Sequence, residues 1–142
     1  MPILNARDEA AVRKEFEKIA GPVKLVVFSQ ELEAAELCRR NEQLVREVAA
    51  LNDHITVETL NLAIDRDRAA AYGVDHVPAI VVEGARDYGL RFFGIPSGYE
   101  FTNLIDSIIV ASSGQPSLTE QTLQSLSALA GDVHIKVFST PT

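Results

Sequence analysis

Tryptophan is missing from this chain, and cysteine occurs once in 142 residues. The lone thiol, Cys38, excludes an intramolecular disulfide and fits a reducing compartment better than an oxidising one. Histidine is sparse too: His54, His76 and His134 stand far apart, with no Cys or His at ligand spacing. That argues against a metal site, since structural sites need about four converging ligands. Basic residues are outnumbered, 13 against 20 acidic, and the net charge of −7 argues against a nucleic-acid partner. No apolar run approaches the ~20 residues of a membrane helix. The densest, Leu104 to Ala111, is broken by Asp106 and Ser107. The first residues lack both a basic start and an apolar signal core, so export is not indicated. The expectation is a cytoplasmic protein with no cofactor, no metal, no membrane and no nucleic acid.

What the chain does have is a repeat. Ala20-Gly21-Pro22-Val23-Lys24-Leu25-Val26-Val27-Phe28-Ser29 returns as Ala130-Gly131-Asp132-Val133-His134-Ile135-Lys136-Val137-Phe138-Ser139. Each copy follows an amphipathic segment, Asp8 to Ile19 and then Thr119 to Leu129. Self-similarity at a fixed offset points to tandem units of one fold. The expected organisation is a complete unit over 1–111, a linker over 112–117, and the opening helix and strand of a second unit over 118–142.

Hydrophobic spacing predicts a helix from Asp8 to Ala20, with Val12, Phe16, Ile19 and Ala20 on one face and Gly21 as its stop. Val23 to Phe28 is an almost continuous apolar run, as a strand covered on both faces requires. A second helix is expected from Leu32 to Leu51, with Ala34, Leu37, Leu44, Val48 and Leu51 as its stripe. Glu31, Glu33 and Glu36 crowd its start, where the helix dipole favours negative charge. A strand over Ile55–Leu62 follows, then a short helix capped by Asp65 and closed by Gly73. Strands over Ala79–Val82 and Gly89–Phe93 flank a turn. Ser97 to Glu100 and Ser117 to Glu120 read as capping boxes for two further helices. Val133 to Phe138 reads as a last strand. The first 110 residues thus run αβαβαββα, the order of an α/β thioredoxin-like fold with a mixed sheet between helices.

Three stretches carry a resemblance to a known family. They are the repeated Val-Phe-Ser strand end, with Val137-Phe138-Ser139-Thr140-Pro141-Thr142 as its second copy; Tyr72-Gly73-Val74-Asp75-His76-Val77-Pro78-Ala79; and Gly89-Leu90-Arg91-Phe92-Phe93-Gly94-Ile95-Pro96-Ser97-Gly98-Tyr99-Glu100-Phe101. Together they resemble the protein disulfide oxidoreductases, glutaredoxin-like proteins with two tandem thioredoxin folds. The flavoprotein component of alkyl hydroperoxide reductase has a similarly built N-terminal module. The resemblance implies thiol–disulfide exchange, a cis-proline at Pro78, and a peptide-binding edge at Val77 and Pro78. In the family the second strand leads into a Cys-Pro-x-Cys site.

The departure lies at the chemistry. Thiol exchange needs a thiolate at a helix N-terminus and a resolving thiol three residues on. The slot after Ser29 reads Gln-Glu-Leu-Glu-Ala-Ala-Glu-Leu-Cys, so no Cys-x-x-Cys exists. Counting from the strand puts the nucleophile at Glu33 or Ala34. Counting back from Cys38 as resolving partner puts it at Ala35. Cys38 itself is either a redox thiol or a small buried hydrophobe. Tyr88, Phe92, Phe93, Tyr99 and Phe101 read as core rather than a partner site, and Arg91 as an exposed-edge or inter-unit salt-bridge residue rather than an anion binder.

Three functions compete. One is a redox-inactive module that scaffolds a thiol–disulfide oxidoreductase, its partner a thiol or disulfide protein or its own second unit. Another is a monothiol or peroxide-reactive enzyme using Cys38. The third is a peptide-binding or dimerisation module. The apolar segment 118–142 is expected to dock on the first unit or to pair with another copy of the chain.

Overall fold

Val23 to Ser29 becomes the central strand because every second side chain finds a different hydrophobic layer. Leu25 and Val27 point into one core and Val26 and Phe28 into another, and all four are fully buried. The computed structural model describes residues 1–32 and 34–140, so Glu33, one candidate for the nucleophile slot, and the last two residues lie outside it.

In chain order the elements are α1 (Ala6–Glu15), β1 (Val23–Ser29), α2 (Ala35–Ala49), β2 (Ile55–Asn61), α3 (Arg66–Tyr72), β3 (Ala79–Glu83), β4 (Asp87–Phe93), α4 (Tyr99–Ser113) and α5 (Glu120–Ser127). A 3-10 turn, Phe16–Lys18, extends α1. The four strands form one mixed sheet in the order β2-β1-β3-β4. β1 runs parallel to β2 and antiparallel to β3, and β3 is antiparallel to β4.

The helices divide between the faces. Val12 and Phe16, Leu44, Val45 and Val48 of α2, and Leu104, Ile105 and Ile108 of α4 pack on the Leu25 side. Ala69 and Val74, from α3 and the residues just after it, pack with Leu60 and Val81 on the Phe28 side. Helices on both faces of a mixed sheet make the chain α/β, as expected.

Local chemistry sets the ends. Asn5 caps α1, its side-chain oxygen accepting from the backbone N–H of Arg7 and Asp8. Gly73 closes α3 in the left-handed region, where glycine is unstrained. Asp65 does not cap α3; its carboxylate turns back to accept from the Asn61 N–H at 2.7 Å. α4 starts after Gly98 without a side-chain cap, so Ser97 does not play the part its capping box suggested. For α5 the cap is Thr119, accepting from Thr122 N–H, rather than Ser117. At the far end of α4 the contacts are close. The Ala20 N–H donates to Ser112 Oγ at 3.1 Å, and a methyl on Gly84 would collide with the Ala111 carbonyl.

Beyond α4 the segment does not pack on the first unit within the chain. No residue of α5 is buried, and Val133, Ile135, Val137 and Phe138 are exposed, Phe138 to 90%. The expected strand over Val133–Phe138 carries no regular secondary structure. A lone strand has no ladder of hydrogen bonds to offset its ordering cost. Among the described residues, none offers that segment a neighbour.

Candidate functional site

The parallel pairing of β1 and β2 and the antiparallel pairing of β1, β3 and β4 bring several chain segments to one pole of the sheet. Ser29 lies opposite Asn61, Phe28 opposite Ala79, and Ala79 opposite Phe93. The loop into α2, the residues before β3 and the exit from β4 therefore meet at the C-terminal end of β1. The stretch that the resemblance marks as the thiol slot, between Ser29 and Cys38, begins at this pole.

α2 begins at Ala35, after Ala34 in the left-handed region at φ 53°. Ala34 and Ala35 thus occupy the start of the helix, where the dipole would stabilise a thiolate, and neither bears sulfur. Cys38 follows one turn later, and the Cys38 N–H makes the helix's first hydrogen bond, to the Ala34 carbonyl at 2.9 Å. Its side chain is on the core side and 2% exposed. Leu37, assigned to the apolar stripe by spacing, faces outward instead, and Ala34 is exposed with it. The buried face of α2 is Cys38, Asn41, Leu44, Val45 and Val48.

Asn41 is the residue that sequence reasoning missed. It is fully buried, and neither its amide nitrogen nor its amide oxygen has a hydrogen-bond partner among the described residues. The spacing Cys38, Asn41, Val45, Val48 contained the signal, but a polar residue drops out of a search for apolar stripes.

Across from the helix start, the Val77–Pro78 peptide bond is cis and Pro78 is buried. The Pro78 carbonyl accepts from Gly94 N–H at 2.8 Å, tying the loop to the exit of β4. Val77 is half-buried, and its N–H and C=O have no backbone partner among the described residues. His76 stacks on Phe93, ring centroids 4.1 Å apart at 18°, and its Nδ1 lies 2.6 Å from an Asp75 carboxylate oxygen. That hydrogen bond, reinforced by charge, holds the Asp75 carboxyl below the usual range. Glu31 pairs with Arg39 at 3.3 Å, and Glu36 stands in the first turn of α2. The pole therefore offers an open backbone edge, an aromatic stack and a mainly acidic rim, with its one sulfur turned inward.

Of the aromatics read as core, Phe93 and Tyr99 are exposed at this pole, whereas Tyr88, Phe92 and Phe101 pack against the larger core. Arg91 is an ion-pair residue, bound to Asp87. A groove of about 830 Å³ among α1, α2 and α4, floored by Leu4, Val12, Leu44 and Ile105, shares no residue with the site. Among the described residues, no cluster of three or more His, Cys, Asp or Glu could hold a metal, and no helix is long and apolar enough to cross a membrane.

The strand order, the helices on both faces and the loop before β3 define a thioredoxin-like fold. Among solved structures, the AhpF component of alkyl hydroperoxide reductase from Enterococcus faecalis superposes with a TM-score of 0.79 at 24% identity, over 89% of this chain and 61% of that one. A protein disulfide oxidoreductase from Aeropyrum pernix gives 0.76 at 21% identity, over 92% and 57%. Among curated proteins, an NADH dehydrogenase from Bacillus subtilis is 24% identical over 136 residues, which is 96% of this chain. The chain spans only 24% of that relative's length. No family model matches the chain.

Proposed function

We propose that this chain is the N-terminal thioredoxin-like module of a glutaredoxin-like thiol–disulfide oxidoreductase, without dithiol chemistry of its own, serving as scaffold or interaction unit. One observation carries the proposal: the start of α2 is Ala34–Ala35, where exchange would need a thiolate. Cys38, three residues past Ala35, holds the resolving position and is buried. In this reading residues 1–111 are a unit with a degenerate site, 112–117 a linker, and 118–142 the start of a second unit. The partner is that second unit or a thiol or disulfide protein, in a reducing cytoplasm. Insulin reduction tests it. The chain should give no turnover, and turnover that disappears in Cys38→Ser would overturn the proposal in favour of a Cys38 enzyme.

A second reading has one observation of its own. The unpartnered Val77 N–H and C=O suit strand addition by an extended peptide, next to buried Pro78. A peptide array with no signal would count against it.

A further inference from the structure

The pole lacks a nucleophile of its own, yet it carries an oriented base. His76 Nδ1 lies 2.6 Å from an Asp75 carboxylate oxygen, and Phe93 stacks on the ring at 4.1 Å between centroids. A carboxylate only accepts, so in the neutral imidazole the proton sits on Nδ1 and Nε2 keeps its lone pair. Among the described residues Nε2 has no hydrogen-bond partner. A base turned by a third group in this way is the arrangement that activates a nucleophile.

No group of the described chain can use it. Ala34 and Ala35 at the start of α2 carry no sulfur, and Cys38 is buried on the core side of the helix. The proton has to come from elsewhere, and Val77 supplies the route. Its N–H and C=O are open among the described residues, and as the residue before a proline it favours extended backbone. Side chains alternate along extended chains, so a peptide strand paired at Val77 brings one of its residues to the side of His76.

The chemistry of that residue follows from basicity. An imidazole ordinarily titrates at about 6.5, a thiol at about 8.5 and a phenol at about 10. One close ion pair closes a gap of about two units, but not the wider gaps to a phenol or an aliphatic hydroxyl. Phe93, exposed beside the imidazole, also offers an aromatic surface of the kind sulfur packs against.

We propose that His76 is the general base for a cysteine thiol on a peptide strand that adds at Val77, with Asp75 as its positioning residue. The S–H bond breaks, an Nε2–H bond forms, and no electrons change hands. The products are a thiolate and an imidazolium that faces the Asp75 carboxylate. Among the described residues Asp75 is the one charged group in contact with the ring. From β4 the contact is Phe93, and the nearest charge on that strand, Arg91, is held by Asp87. The inference rests on the reading of Val77 as a strand-accepting edge.

The test uses the full chain and an acetylated Thr-Val-Cys-Val-Thr amide, labelled with carbon-13 at the cysteine Cβ. Calorimetry reads binding, and the Cβ shift against pH reads the thiol. The thiol midpoint should fall by about one unit or more in the complex relative to the free peptide. His76→Gln should still bind the peptide and leave the midpoint at its free value. Asp75→Asn should bind it with a weaker lowering, and the nitrogen-15 shifts of His76 should turn from the Nδ1–H form to a mixture of tautomers. Both side chains are exposed, so circular dichroism should stay unchanged. A bound peptide whose thiol keeps its free midpoint overturns the inference and leaves the Val77 reading standing. A lowering that survives His76→Gln does the same. Absence of binding overturns both.

Discussion

Arg91 grips Asp87 with two parallel hydrogen bonds, Nη1 to Oδ1 at 2.8 Å and Nη2 to Oδ2 at 2.5 Å, while its Nε donates to the Tyr72 carbonyl at 2.8 Å. One guanidinium thereby joins the edge strand β4 to the end of α3. Forked pairing of this kind is among the stronger charge-assisted contacts.

The Arg91 hydrogen bond, chiefly, holds the Asp87 carboxyl below its ordinary value. A carboxyl depressed by folding stabilises the protein fully above its unfolded pKa, near 4, and loses that contribution as pH falls through the folded value. Asp87→Asn should therefore cost about 1–2 kcal/mol at pH 7. Urea unfolding should show wild type and variant converging as pH falls below the ordinary carboxylate range and through the depressed folded value. A gap that persists unchanged into acid would contradict the pairing as its source.

Ala35→Cys would place a second thiol three residues ahead of Cys38, at the first residue of α2. The variant should form an intrahelical-turn disulfide on oxidation, seen as loss of two free thiols, and should gain insulin reduction over the parent. If the disulfide forms without any gain, the pole lacks more than a nucleophile.

Asn41 is fully buried, with both amide atoms unpartnered among the described residues. Replacing an unsatisfied amide by an apolar group of similar size removes a desolvation cost. Asn41→Leu should raise stability by about 1–2 kcal/mol in chemical denaturation. A loss of stability would mean that the amide is hydrogen-bonded in solution.

Gly84 sits where a methyl would run into the Ala111 carbonyl of α4. Gly84→Ala must push the helix away from the turn, and overpacking of this sort costs about 1–3 kcal/mol. Thermal unfolding measures it. An unchanged Tm would show that the helix end yields freely.

Patterning revealed most of this architecture because its signals are local. The apolar run of β1 announced a strand buried on both faces, and Gly73 announced the end of α3. Helix starts were less legible. The acidic run before α2 suggested a start at Leu32, whereas the helix begins at Ala35. Leu37 illustrates the limit at the site: its spacing fits the stripe, but the buried face at the start of α2 is centred on Cys38 and Asn41, which leaves Leu37 exposed. Nor could the tail be read from spacing. Val133–Phe138 has the pattern of a strand, but a strand also needs a neighbour, which lies outside any window of local sequence.

The contacts that close the far end of α4, from Ala20 to Ser112 and from Gly84 to Ala111, fix where the chain leaves the sheet. Gly114 follows at the pole opposite the Val77–Pro78 loop, so the residues after it depart from the side of the molecule away from that loop.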